Sequence, residues 1–275
     1  MSRLERHLAP VPRPSEDVWQ PAAPRPGGAG NLPWPTTTFV DRPQLPQVLG
    51  VLDNPSTRFV TLVGPHGSGK TRLALAAAEA VAGAFADGVW FVDLAEGDAQ
   101  DIPGLIATAL SVRPAVTTVQ ALADAVGHWD ALLLLDSVDA CLAAGPTLVR
   151  LLAAAPGLKI LATSRAPFGV AAEQRLPVPP LGTLASVALF CERAKAIDPR
   201  WAVTSANAAA VTELCARLEG LPLAIELATA WLYVLPADAL LAHFPSTLDL
   251  LSTGGPIGRP ATGRCAPRSP GVRAG

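Results

Sequence analysis

The eight residues Gly64-Pro65-His66-Gly67-Ser68-Gly69-Lys70-Thr71 constrain this chain more than any other stretch. They fill the pattern G-x-x-x-x-G-K-T at every fixed position. Residues 59–63 precede them as a short, apolar, β-branched run that predicts a buried strand. Residues 72–81 follow as an alanine-rich helix former ending near Gly83. Glycines between a strand and a helix let the backbone curl, so that successive N–H groups point inward. The helix N-terminus adds partial positive charge, and the product is a cradle for a polyphosphate. Lys70 is placed to bridge β- and γ-phosphates, and the Thr71 hydroxyl to ligate Mg²⁺. His66 fills a position free to vary and reads as incidental. The competing reading is a glycine-rich strand–helix turn with a chance lysine, which the flanks and a second motif argue against.

Strand-like and helix-like stretches then alternate. Residues 88–94, 131–136 and 159–164 predict strands, and 175–178 an edge strand where Pro177 is tolerated. Residues 47–53, 102–110, 119–128 and 147–155 predict helices. Such alternation implies an α/β domain over residues 39–180, a P-loop NTPase parallel sheet with helices on both faces. After residue 180 the strands stop. Residues 183–197, 205–218, 223–234 and 236–244 read as helices, giving a small all-helical subdomain over 181–252. Residues 1–38 are rich in proline and glycine and are expected to form a disordered leader. Residues 253–275 hold four arginines, four prolines and no acids, and are expected to be a disordered tail rather than an anion-binding arm.

Composition narrows the function classes. Half of the 275 residues are apolar, the net charge is −2 and the pI is near 6.1, so no global basic field points to nucleic acid or an anionic membrane. Cys141, Cys191, Cys215 and Cys265 are widely spaced without a C-x-x-C pair, which favours neither a compact zinc site nor a disulfide framework. The most apolar long stretch, 221–235, is short and carries Pro222 and Glu226, so no membrane span is expected. No signal-peptide pattern opens the chain, and the expected location is the cytoplasm.

Further chemistry sits on the strands after the glycine loop. Leu132-Leu133-Leu134-Leu135-Asp136 reads as a Walker B strand, an apolar core strand ending in a carboxylate. Ligands of open α/β sheets lie at the C-terminal strand ends, so Asp136 would face the Mg²⁺ held by Thr71. Asp139 is a candidate to polarise the attacking water or complete the outer metal shell; the alternative is N-capping of a helix just after the strand. Arg165 ends the next strand on the same sheet edge, where it either reads a γ-phosphate or is an ordinary surface arginine. A DNA-binding helix–turn–helix around Gly220 is disfavoured by charge, since residues 176–252 carry four basic and seven acidic side chains.

The glycine loop, Leu-Leu-Leu-Leu-Asp, Ile-Leu-Ala-Thr-Ser-Arg and Gly-Leu-Pro-Leu-Ala-Ile-Glu-Leu, in that order, resemble the NB-ARC-type STAND NTPases. They are most similar to the ATPase module of large bacterial transcriptional regulators of the LuxR and antibiotic-regulator type. Asn31-Leu32-Pro33 and residues 88–94 share the resemblance, which covers about residues 31–255. It implies that residues 64–71 bind ATP or ADP with Mg²⁺, that Asp136 is the Walker B acid, that Arg165 senses the γ-phosphate, and that Pro222 lies against the nucleotide. Members act as switches, resting with ADP, exchanging to ATP on a signal, and hydrolysing slowly. Oligomerisation on ATP binding and a protein partner or separate sensor and effector domains are implied, with no direct DNA binding by this chain.

The sequence departs from the family at three places. Where members show Val-Gly-Arg-x-x-Glu beside the adenine, this chain reads Val40-Asp41-Arg42-Pro43-Gln44. Where they show Asn-x-Glu-His after the Walker B acid, it reads Ser137-Val138-Asp139-Ala140. Where they continue into a winged-helix domain and a repeat sensor, the pattern stops at Gly254-Gly255, as a truncation or frameshift would produce. The leading expectation is therefore an ATP/ADP switch module with weak Mg²⁺-dependent ATPase activity, and the alternative an inert ADP-bound scaffold. A small-molecule P-loop kinase would need an arginine-rich lid, whereas residues 166–200 hold only Arg175, Arg193 and Arg200.

Overall fold

A computed structural model describes residues 30–35, 37–112 and 116–242. The expected tail and most of the expected leader lie outside these residues. Five strands, β1 (Phe59–Val63), β2 (Val89–Asp93), β3 (Ala131–Asp136), β4 (Leu158–Ser164) and β5 (Gln174–Pro177), form one sheet in the order β2-β3-β4-β1-β5. Every pairing is parallel. β5 is an edge strand, so Pro177 costs no ladder bond in the sheet interior.

The alternation of side chains sorts the core into two layers. From β3, Leu133 and Leu135 join Phe59, Ile160 and Ala162 beneath α3 (Ile102–Ala109), α4 (Val119–Val126) and α5 (Gly145–Ala154). Leu132 and Leu134 point the other way, joining Val60, Leu62 and Leu161 beneath α1 (Gln44–Asp53) and α2 (Lys70–Val81). All six residues of β3 are buried, as a central parallel strand covered on both faces requires. Helices on both faces of a parallel sheet are thus what the sequence led one to expect. The fold is that of P-loop ATPases.

Two of the helices that begin earlier than the sequence suggested do so across a proline. α1 starts at Gln44 and α5 at Gly145, each carrying a proline within its first three residues, Pro46 and Pro146. Proline in the first turn removes an N–H that has no intrahelical partner there, so it ends nothing.

The expectation of a disordered leader reaching residue 38 is corrected over its last residues. Gly30 bridges Val89 in parallel, and Asn31 is fastened to the free edge of β2. The Asn31 side chain donates to Phe91 O at 2.9 Å and accepts from Phe91 N at 2.6 Å. One amide thereby satisfies both main-chain groups of an edge-strand residue, which blunts that edge against other chains. Farther along, the Thr37 carbonyl accepts a hydrogen bond from Arg72 in the first turn of α2.

Residue contacts divide the chain at Leu181/Gly182 into two compact units. The described part of the second consists of α6 (Thr183–Ile197), α7 (Ala208–Arg217), α8 (Pro222–Ala230) and α9 (Ala237–Ala242). α6 packs on α7 and α8, and α7 on α9, around Phe190, Val211, Leu214, Ile225 and Leu240. Arg193 of α6 bonds Glu226 of α8 at 3.0 Å. Among the described residues no helix is long and apolar enough to cross a membrane.

Candidate functional site

β1 delivers the chain to Gly64, whose N–H donates to Ser164 O at the end of β4 (3.2 Å). A Cβ on Gly64 would stand 2.3 Å from the carbonyl oxygen of Val178, so only glycine fits between the two neighbouring strand ends. Gly67 and Gly69 take φ of +77° and +85°, the left-handed region that a curling main chain needs. Gly69 is the N-cap of α2, and Leu73 N donates to Gly69 O at 3.0 Å. The N–H groups of a helix's first turn have no intrahelical acceptor. The loop therefore presents main-chain donors beside the positive end of a twelve-residue helix.

Lys70 folds back over the loop, its Nζ donating to Gly64 O and Pro65 O at 3.0 Å each. Burial lowers the Lys70 pKa; Asp139 and then Asp136 oppose that shift, while Arg165 adds to it. The two acids and two bases thus share one electrostatic neighbourhood. His66 is exposed, and Ser68 is buried with its Oγ unpartnered among the described residues.

β4 separates β3 from β1, yet Asp136 at the end of β3 meets the loop. Asp136 is 8 % exposed, and its Oδ1 accepts from Thr71 Oγ1 at 2.7 Å. The same oxygen accepts from Thr163 Oγ1 at 2.6 Å, and Oδ2 from Ser137 Oγ at 3.3 Å. Thr163 lies on the intervening strand and also accepts from Ser137 N at 3.0 Å. It therefore fixes both the carboxylate and the turn after it. Ser137 is in the left-handed region (φ 58°, ψ 46°), which turns the chain into a 3-10 turn over Val138–Ala140.

That turn carries Asp139 back over the end of β4. Asp139 caps no helix, contrary to the alternative weighed from sequence; its Oδ1 accepts from Arg165 N (2.7 Å) and Ser164 Oγ (3.1 Å). Arg165 Nε lies 3.2 Å from the same oxygen. Partial burial acts to raise the Asp139 pKa, but these donors outweigh it and hold the carboxyl below its usual value. Arg165 is therefore an ion-paired arginine. The loop that follows it is pinned by Glu173, whose carboxylate accepts from Phe168 N (2.9 Å) and Gly169 N (3.0 Å).

The structure thus brings together residues 64–71, Asp136, Asp139 and Arg165. Pro222 belongs to the second unit, where it opens α8 at the first helical positions. Thr163, Ser137 and Glu173 were missed as supporting residues. Thr163 had a signal, a hydroxyl one strand over from Asp136, at the end of the motif that carries Arg165. A cavity of about 640 Å³ elsewhere in the first unit shares no lining residue with the glycine loop. Its polar groups bond one another locally, Asp98 with Gln100 N and Arg150 with Thr147.

The donor set fits a polyphosphate with a hard cation. Thr71 and Asp136 offer a hydroxyl and a carboxylate, the oxygen donors Mg²⁺ takes, and Lys70 and the loop amides offer positive partners for phosphate. Among the described residues no group of three or more His, Cys, Asp or Glu side chains gathers to hold a metal. A metal here would complete its shell with phosphate oxygens and water.

Comparison with known proteins agrees at the level of fold. No protein-family model matches the chain. It is 42 % identical over 181 residues to a Mycobacterium tuberculosis protein named "Putative HTH-type transcriptional regulator Rv0890c", covering 63 % of this chain and 20 % of that protein. It is 37 % identical over 240 residues to "Uncharacterized protein Rv0894" of the same organism, covering 84 % of this chain and 60 % of that one. The chain therefore spans about a fifth of the first relative and three fifths of the second. Among solved structures it is similar to PCH-2 of C. elegans, with a TM-score of 0.50 and 14 % identity, covering 74 % of this chain and 67 % of that one.

Proposed function

We propose that the chain is a nucleotide-binding switch module of the STAND type, taking ATP or ADP with Mg²⁺ at residues 64–71. One observation carries the reading: Thr71 and Asp136, 65 positions apart, meet at 2.7 Å beside a glycine loop that opens a helix. Thr71 and Asp136 would hold Mg²⁺, Lys70 and the loop N–H groups the phosphates, and Arg165 would sense the γ-phosphate. Bound Mg²⁺ supplies charge neutralisation on the phosphates. Relatedness to a protein named as an HTH-type regulator supports a place in transcriptional control; ATP-linked oligomerisation, a cytoplasmic location and partner sensor or effector parts complete the proposal. Whether this chain itself touches DNA is a separate question, and its charge disfavours it.

Hydrolysis is read as slow, because the three donors on Asp139 Oδ1 hold that carboxyl below its usual value and so weaken it as a base. The same observation favours the second reading, an ADP-bound scaffold without turnover. Identification of the nucleotide released on denaturing purified protein, together with phosphate release by wild type, Asp136→Ala and Asp139→Ala, tests both. Bound adenine nucleotide with release above the Asp136→Ala level supports the switch. Bound nucleotide with no release above it supports the scaffold, and protein that neither carries nor binds nucleotide rejects both.

A further inference from the structure

Asp139 stands where a general base for water is expected, but its bonds describe another task. Its Oδ1 accepts from Arg165 N, Ser164 Oγ and the Arg165 guanidinium, at 2.7, 3.1 and 3.2 Å. Three donors on that one oxygen hold the carboxyl below its usual value, which makes it a weaker base. The three bonds divide by what they hold. Those from Ser164 Oγ and Arg165 N fix the end of β4. The third holds only the guanidinium, through Nε, while Nη1 and Nη2 make no hydrogen bond among the described residues. The Arg165 side chain is 64 % exposed, so it can swing while its backbone stays pinned.

Lys70 shows where a swinging guanidinium would go. Of the charges acting on Lys70, Asp139 is the strongest, Asp136 next, and Arg165 follows with opposite effect. Arg165 therefore lies close enough to the phosphate-loop lysine for their charges to be felt. Moving its guanidinium from a carboxylate to a phosphate exchanges one charge-assisted acceptor for another.

We propose that Asp139 is a positioning residue that parks the Arg165 guanidinium when no γ-phosphate is present and yields it when one is. The pair then sets the preference of the site for triphosphate over diphosphate. This rests on the nucleotide reading above and adds to it how the site tells its two ligands apart. A largely exposed ion pair that must break for the triphosphate alone lowers that preference by about two- to fivefold.

The test is a double-mutant cycle on the full chain. Dissociation constants for Mg·ADP and for a Mg-bound non-hydrolysable ATP analogue are measured with wild type, Asp139→Asn, Arg165→Ala and the double variant. Asp139→Asn is expected to raise the triphosphate preference about two- to fivefold. Arg165→Ala is expected to lower it by about tenfold, the loss of one charged hydrogen bond. Adding Asp139→Asn to Arg165→Ala is expected to change nothing further. An equal shift in both backgrounds would show a general charge effect and overturn the proposal. So would an unchanged preference in Asp139→Asn, and loss of ATP hydrolysis alongside it would mark the residue as a base instead. Arg165→Ala alters an exposed side chain and keeps the test alive if Asp139→Asn does not fold: an unchanged preference in it alone also overturns the proposal. Wild type that binds neither nucleotide defeats the nucleotide reading itself, and this proposal with it.

Discussion

Replacing Thr163 with valine tests the strut that carries the Asp136 carboxylate across the sheet. Thr163 is 1 % exposed, and valine matches its shape without the hydroxyl. The change deletes the 2.6 Å bond to Asp136 Oδ1 and the 3.0 Å bond from Ser137 N. A hydrogen bond to a charged group contributes about 1.5–3 kcal/mol, and a stranded buried N–H costs about 1–3. Burying a methyl group in place of the hydroxyl returns about 1 kcal/mol. Asp136 keeps its bonds from Thr71 and Ser137, so the net loss should be about 2–3 kcal/mol. With a urea slope of about 2 kcal/mol/M, the midpoint of the first unit falls by roughly 1 M. Near-UV circular dichroism reports it, because Trp90 and Trp129 of that unit lie 5.8 Å apart. Thr163→Ser keeps the hydroxyl and should lose less than half as much. Equal losses in the two variants, or a midpoint within about 0.3 M of wild type, would refute the strut.

Three further outcomes follow from other contacts. Asn31→Ala removes both bonds that fasten the entering chain to β2 and should cost about 1 kcal/mol; amide exchange at Phe91 should speed up, and unchanged protection there counts against the strap. Ser137→Asn and Ser137→Val both lose the 3.3 Å bond to Asp136, but asparagine tolerates the left-handed region, so the valine variant should be the less stable by about 1–2 kcal/mol; equal melting of the two would contradict the conformational argument. Burial acts to raise the Glu173 pKa, but the Thr61 hydroxyl, the Phe168 and Gly169 N–H groups and Arg175 together hold it below its ordinary 4.5. A depressed carboxyl contributes stability above its unfolded-state pKa and loses it as pH falls through the native value. Glu173→Gln should therefore flatten the acid limb of the stability curve below about pH 5, and parallel limbs for the two proteins would exclude Glu173 as a cause.

The glycine loop, its flanking strand and helix, and the strand that ends at Asp136 were legible because each is fixed by chain-local chemistry. Glycines at 67 and 69 meet left-handed backbone, and a leucine run buried on both faces reads as central strand from composition alone. β1, β3 and α6 begin and end where the residue pattern puts them. What the sequence hid depends on side chains that meet from far apart. Asn31 bonds a strand 60 positions on, and Thr163 reaches Asp136 only because β4 lies between the two motif strands. α7 starts at Ala208, three residues late, because Asn207 bonds Thr204 N and Ala202 O and holds the preceding turn out of the helix. The pairing of Asp139 with Arg165 had no sequence signal, since either residue alone suits several roles.

The central claim is that residues 64–71 hold a nucleotide's phosphates with Lys70 as their charged partner. Calorimetric titration of wild type and Lys70→Ala with Mg·ADP and Mg·ATP tests it most directly. The account predicts saturable binding by wild type and its loss, by at least about tenfold, when the ammonium group is gone. Equal affinities in the two proteins would contradict it.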